Sequence, residues 1–277
     1  MPLKLQVARL PEPPPGLPHD EKARTRLAVE WACCEADVQQ AQRLRYEVFA
    51  TEMGARLTPL AGTMPGLDSD RFDAFCDHLL VRAVNHENDA PGMLVGTYRV
   101  LPPDAARRAG GLYIDTEFDL APLQDLRAKA VELGRSCVHP DWRSGGVIMA
   151  LWSALCRYMY LHQLETMIGC ASMGVEDGGH AAARLWLALR HSHLAAEPWR
   201  AVPKNALPLK AHDDSSFLTR NALRDAATPP LIRGYLRCGA RLLGPPSVDE
   251  AFKTADLPML LRIDDLVPRY RRYFLGN

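Results

Sequence analysis

Net charge is missing from this chain, whose 277 residues carry 33 basic and 33 acidic side chains. A dedicated nucleic-acid binder carries a strong basic excess, so no nucleic-acid partner is expected, although a local basic patch for an acidic partner remains open. Paired cysteine motifs are missing too. The seven cysteines lie at 33, 34, 76, 137, 156, 170 and 238, an odd count with no C-x-x-C. They read as reduced core thiols of a cytoplasmic protein, with no disulfide framework and no metal site. The first 22 residues hold six prolines and no apolar run of the secretory kind. The central uncharged stretch, 144–156, is too short to cross a bilayer. What is present, 47% hydrophobic and 24% charged residues, is ordinary for a soluble globular chain.

Residues 1–25 read as a flexible proline-rich tail, and residues 26–277 as one mixed α/β domain without internal repeats. A strand is expected over 26–34. Asp37 is placed to cap a helix reaching about residue 53, with Val38, Ala41, Leu44, Val48 and Phe49 at helical spacing. Periodicity is lost over 54–73, a loop long enough to suggest function. A hairpin follows (78–84 and 93–101, turning at 85–89), then a helix over 119–129 and a strand over 130–138. A turn at 139–146 leads into a helix over 147–164. Next come a strand over 166–173, a helix over 181–191, a proline-studded connection over 198–230, strands over 231–238 and 258–263, and a basic end.

The most informative stretch runs Glu132-Leu133-Gly134-Arg135-Ser136-Cys137-Val138-His139-Pro140-Asp141-Trp142-Arg143-Ser144-Gly145-Gly146. Strand, proline turn, Arg-x-Gly-Gly and helix follow one another. Glycines let the backbone approach a ligand, and the unpaired N–H groups of a first helical turn attract phosphate. The stretch is neither a Walker loop nor G-x-G-x-x-G.

Arg143-Ser144-Gly145-Gly146-Val147 resembles the phosphate loop of the GNAT acyltransferase superfamily, although Ile148 stands where that pattern has a small residue. Arg45-x-x-x-Phe49, Asp70-x-Phe72-Asp73, Gly96-x-x-Arg99 and Glu132-x-x-Arg135 resemble, in this order, the acyl-homoserine-lactone synthase branch. Asp77-His78-Leu79-Leu80-Val81, Leu151-Trp152, Gly234-Tyr235-Leu236, Ala255-Asp256-Leu257-Pro258 and the ending Arg269-Tyr270-Arg271-Arg272-Tyr273-Phe274 resemble the bacterial ornithine N-acyltransferases, once called hemolysin-like. The resemblance spans about residues 26–277. It implies a GNAT fold with a mixed, mostly antiparallel central sheet flanked by helices. It implies transfer of a 3-hydroxyacyl group from acyl carrier protein to the α-amine of ornithine, giving a lyso-ornithine lipid. No permanently bound cofactor is implied, because the phosphopantetheine arrives with the donor.

An amino-acid acceptor carries a carboxylate and ammonium groups, so its site needs both arginines and acids. Arg45, Arg99 and Arg135 supply the first, and Asp70, Asp73 and Asp77 the second. Glu132, in a strand flanked by apolar residues, is the preferred base for the amine proton. The same charges also suit a buried network that pins the long loop to the sheet. His139 reads as a turn residue, and His78 as a strand histidine bonded to its neighbour. By the GNAT resemblance, a backbone N–H at Cys137 or Val138 receives the thioester oxyanion, and Arg143, Ser144, Gly145 and Gly146 hold the phosphopantetheine. Splayed strands would admit the acyl chain among Met149, Trp152, Met167, Ile168 and Met173. Two other readings are a synthase for homoserine lactones or other N-acyl amino acids, and a non-catalytic protein held at an anionic membrane surface by its basic aromatic end.

Overall fold

The computed structural model describes residues 25–85, 92–208 and 228–276. The proline-rich tail, most of the turn at 85–89 and much of the connection 198–230 lie outside the described residues. The chain begins with β1 (Thr25–Trp31), α1 (Glu35–Tyr46), β2 (Asp77–Asn85), β3 (Met93–Leu101) and α2 (Pro103–Arg108). Next come β4 (Phe118–Asp119), β5 (Ala130–Val138), α3 (Gly146–Leu161), β6 (Thr166–Gly174) and α4 (His180–Leu189). The rest comprises β7 (Val202–Pro203), α5 (Pro230–Cys238), β8 (Arg241–Leu242), β9 (Ser247–Asp249), β10 (Thr254–Arg262) and α6 (Pro268–Leu275).

One sheet runs β1-β2-β3-β5-β6-β10-β8, with β9 beside β10, and a separate small ladder joins β4 to β7. Every pairing in the main sheet is antiparallel except β5 with β6. That parallel ladder holds three residue pairs, Ala130↔Thr166, Val131↔Met167 and Glu132↔Ile168, after which the two strands part. On the other side of β5 the register slips. Thr97 faces Cys137 but Arg99 faces Gly134, so β5 carries one extra residue in a bulge. Arg135 sits in that bulge at φ 50, a conformation most side chains avoid.

The helix α3 forms because Val147, Leu151, Leu155, Tyr158 and Met159 recur on one face, and that face is buried against β1, β2 and β3. Fully burying a side chain such as Leu151 contributes about 1.5–3 kcal/mol. The helix starts at Gly145, whose φ of 101 is reached cheaply only without a Cβ. The helix α6 closes the same core with Phe274.

Several elements depart from their sequence-based expectations. The expected strand over 231–238 is the helix α5, entered through Pro230 in its first turn and ended by Gly239 at φ 114. Leu231, Ile232, Tyr235 and Leu236 are spaced for one helical face, and Gly234 lets that face close on Trp152: a Cβ there would stand 2.4 Å from the indole. The expected helix over 119–129 is a 3-10 segment, Ala121–Lys129. The first helix continues as a π-helical turn, Glu47–Glu52, and its cap is Cys34, with Asp37 accepting the Cys33 N–H from inside the first turn. All seven cysteines are free, but Cys33 and Cys34 are exposed, outside any core.

Candidate active site

The long loop before β2 returns its acids to the sheet. Arg45, 1% exposed on α1, donates through Nε to Asp68 (2.8 Å) and through both terminal nitrogens to Asp73 (2.9 Å each). Gln42 and the Asp70 N–H also donate to Asp73, at 3.3 and 3.0 Å. Arg99 reaches Asp70 at 2.7 Å and Asp73 at 3.3 Å. Arg135 reaches Asp70 at 3.2 Å, and its guanidinium lies over the rings of Phe252 (4.4 Å) and Tyr113 (4.7 Å). Burial alone would raise the Asp73 pKa, but Arg45 and Arg99 hold it well below the usual carboxylate range. Three arginines (45, 99, 135) thus balance three aspartates (68, 70, 73) in one buried network. Asp68 belongs to it although the sequence motifs did not single it out.

Asp77 stands apart, exposed at the start of β2, where the Tyr158 hydroxyl donates to it at 2.7 Å. His78 is buried and donates from Nε2 to the Asp73 carbonyl (3.2 Å), not to neighbouring Asp77. His139 is a turn residue, its Nδ1 accepting the Asp141 N–H.

Beyond the point where β5 and β6 part lies a cavity of about 290 Å³ lined by Arg99, Tyr113, the β5 segment from Glu132 to Val138, Arg143, Asp249, Phe252 and Asp256. Glu132 is 4% exposed and accepts the backbone N–H groups of Tyr113 (2.6 Å) and Ile114 (2.7 Å). Those two bonds favour its charged form, but burial outweighs them and pushes its pKa up to about 7. A carboxyl so placed takes a proton readily at neutral pH. Cys137 lines the same cavity, but its thiol packs with Leu44, Val48 and Phe49, and burial pushes its pKa up to about 12. A protonated thiol is no nucleophile. Where β5 leaves β6, the edge groups of the bulged segment lose their strand partner, and this is the segment that carries Cys137 and Val138.

The opposite wall is acidic, and sequence reasoning missed it. Asp249 and Asp256, both buried, come from β9 and β10. Asp249 accepts the N–H groups of Ala251 (2.9 Å) and Phe252 (3.0 Å). Asp256 accepts the Thr254 hydroxyl (2.9 Å), and burial with Asp249 nearby raises its pKa. Glu117, next to them, is pushed up to about 7 by burial and by both aspartates. No ion pair joins any of these three to a cation among the described residues. The one sequence signal was Ala255-Asp256-Leu257-Pro258, an acid in an apolar run.

Arg143 is not a free cation. Its terminal nitrogens donate to both Glu52 oxygens (2.6 and 2.7 Å), and its Nε donates to the Val138 carbonyl (3.1 Å). Ser144, Gly145 and Gly146 form the turn into α3, and the space beside Gly145 is open.

A second, apolar cavity of about 70 Å³ continues from the strand gap, lined by Leu133, Trp152, Met167, Ile168, Met259 and Phe274 among others. Trp152, Met167 and Ile168 stand where a tunnel was expected. Met149 and Met173 do not reach it; Met173 is packed in the separate cluster around α4.

Residues 44–153 match the family model described as "Acetyltransferase (GNAT) domain". An L-ornithine N(alpha)-acyltransferase of Agrobacterium fabrum is 39% identical over 91% of this chain and 85% of its own length. Its counterpart from Rhizobium meliloti is 38% identical, over 90% and 84%. Among solved structures, the acyl-homoserine-lactone synthase LasI superposes with a TM-score of 0.49 at 11% identity, covering 91% of this chain and 96% of that one. FeeM, an N-acyl amino acid synthase from uncultured soil microbes, gives 0.49 at 10% identity, over 87% and 97%. With relatives matched along nine-tenths of its length, this chain belongs to the L-ornithine N(alpha)-acyltransferase family of GNAT acyltransferases.

Proposed function

We propose that the protein transfers a 3-hydroxyacyl group from the phosphopantetheine of acyl carrier protein to the α-amine of L-ornithine, forming a lyso-ornithine lipid. The charge layout of the cleft carries this reading. On one side the arginines and aspartates cancel; on the other, Asp249 and Asp256 line the cavity with Glu117 close behind them, and none of the three has an ion-pair partner among the described residues. Ornithine brings two ammonium groups and one carboxylate, a net positive charge that fits this imbalance. Its carboxylate would lie toward Arg135 and Arg99, its side-chain ammonium against Asp249 and Asp256, and its α-amine beside Glu132. Glu132 takes the amine proton as nitrogen attacks the thioester carbon. A backbone N–H of the β5 bulge donates to the oxyanion, and the pantetheine thiolate departs. No cofactor is held between turnovers.

This assignment moves the ammonium from Asp70 and Asp73, both committed to arginines, to the far wall. Asp256→Asn is expected to raise the ornithine KM about 10–100-fold while sparing norvaline, since an ammonium left facing a neutral amide loses a charge-assisted bond. Equal losses for ornithine and norvaline in steady-state acylation assays would return Asp256 to a structural role.

The acyl chain passes through the strand gap into the apolar cavity, and the phosphopantetheine phosphate lies at the α3 N-terminus near Gly145 and Gly146. For the acidic carrier protein, Arg143 is the contact, now with Glu52 as its competitor. Glu52→Gln should therefore lower the donor KM several-fold at low salt and little at high salt. An unchanged donor KM at every ionic strength would remove Arg143 from carrier docking. No helix among the described residues is long and apolar enough to cross a membrane. In α6, Phe274 is buried and Tyr270 and Leu275 pack against the core, whereas Tyr273 is exposed.

A further inference from the structure

Tyr98, from β3, and Tyr235, from α5, line both the polar cleft and the apolar cavity. Their hydroxyls are hydrogen-bonded to each other where the two cavities join. Two polar side chains lie beside them. The Ser136 hydroxyl, on the cleft side, lies within hydrogen-bond reach of Tyr98. The indole N–H of Trp152, a residue 9% exposed, has no hydrogen-bond partner in bonding geometry, although it lies close enough to the Tyr235 hydroxyl to influence it. The Trp152 and Tyr235 rings lie 5.1 Å apart, centroid to centroid, and Gly234 permits that approach.

A passage for a hydrocarbon chain has no use for two phenols and an unpaired N–H. A polar group buried without a partner is costly, and these groups satisfy one another only in part. Their position is informative. Tyr98 is the β3 residue spanned by the slip in register against β5, between Thr97 facing Cys137 and Arg99 facing Gly134. Tyr98 therefore lies across from the β5 bulge, and with Tyr235 it lines the way from the cleft into the apolar cavity.

Building on the acyltransferase reading, we propose that Tyr98 and Tyr235, with the Trp152 indole N–H, form the subsite that recognises a hydroxyl on carbon 3 of the acyl chain. A hydroxyl both donates and accepts. It takes the place of one phenol in the Tyr98–Tyr235 bond and gives the Trp152 N–H an acceptor. A methylene at that carbon breaks the phenol pair and leaves its members unpaired. A 3-oxo group accepts but cannot donate. Sites that hydrogen-bond a substrate hydroxyl reject analogues lacking it far more strongly than apolar pockets reject a methylene.

The test compares kcat/KM for ornithine acylation with 3-hydroxyhexadecanoyl and hexadecanoyl groups on the same carrier protein, in the wild type, Tyr98→Phe and Tyr235→Phe. A parallel arm measures direct binding of free 3-hydroxyhexadecanoate and hexadecanoate to the same three proteins. The wild type is expected to prefer the hydroxylated chain about 10–100-fold, and each phenylalanine variant to bring that ratio close to one. A structural or proton-donating role for the tyrosines would slow both donors alike and leave the ratio intact. Either an unchanged ratio in both variants or a wild type indifferent to the hydroxyl overturns the proposal. If no amide forms from either donor, the acyltransferase reading fails by itself. The binding arm then still decides the subsite: tighter binding of the hydroxylated acid, lost in the variants, sustains it, and equal binding overturns it.

Discussion

Replacing Glu132 by glutamine is expected to lower kcat for amide formation by about 10²–10⁴-fold, the usual range for loss of a general base. Activity loss alone does not identify the base here, because Glu132 also anchors the turn at Tyr113 and Ile114 through two backbone N–H groups. A glutamine side chain would turn its NH₂ toward one of those donors and disturb the turn. The pH profile separates the two roles. With a pKa near 7, the carboxylate is the minority form below neutrality. The wild-type rate at saturating substrates should fall about tenfold for each unit of pH below that value and level off above it. Asp73, held far lower by its arginines, cannot produce such a limb. In Glu132→Gln the limb should disappear, leaving a low residual rate. Persistence of a limb near pH 7 in a folded Glu132→Gln protein would assign the titration, and the proton, elsewhere.

The second large effect concerns folding. Arg45→Met is expected to destabilise the protein by about 3–5 kcal/mol, because it takes from two buried aspartates their nearest cation and leaves Asp68 only Arg135 and Asp73 only Arg99, each at 3.3 Å. That is a large share of the about 5–15 kcal/mol typical of a whole domain. Urea midpoints should show it. Asp70→Asn should cost less, because Asp70 is more exposed than its neighbours and Arg99 keeps Asp73 as a partner. The double change Arg45→Met, Asp68→Asn should recover part of the loss, because it leaves two arginines facing two aspartates. A cost below about 1 kcal/mol for Arg45→Met would mean water reaches the network and screens it.

Legibility in the sequence followed locality. The strand β5, its turn and the start of α3 were readable because proline, paired glycines and an apolar run mark their boundaries within a few residues. The long loop was readable as a loop, and its acids as partners for Arg45, Arg99 and Arg135, because Asp70 and Asp73 interrupt a segment without periodicity. Their roles were harder. Composition cannot distinguish an aspartate that binds a ligand from one that binds three arginines; only the closed geometry at Asp73 does. The helix α5 reads as a strand in the sequence because nine residues with a central glycine satisfy either period, and only the proline and glycine at its ends mark it as a helix. The acidic wall stayed hidden because β10 reaches the cleft only through its pairing with β6, far along the chain from Glu132.

The three-pair ladder between β5 and β6 also bears on how the chain folds. On one side of it, β1, β2, β3 and β5 pair in chain order, closing shorter loops than the one that brings β10 to β6. On the other side, β6 waits for β10, which follows α4, α5 and the intervening connection, so this pairing closes a long loop and forms late. Until then β6 is an edge strand with open N–H and C=O groups, the kind of surface that recruits stray strands and seeds aggregation. Past Glu132, β5 has no partner on its β6 side even in the finished protein. The bulge at Arg135, with a buried charge at its centre and its backbone turned out of register, is poor template for another strand. The distortion that lines the cleft therefore also protects the protein from its own unpaired edge.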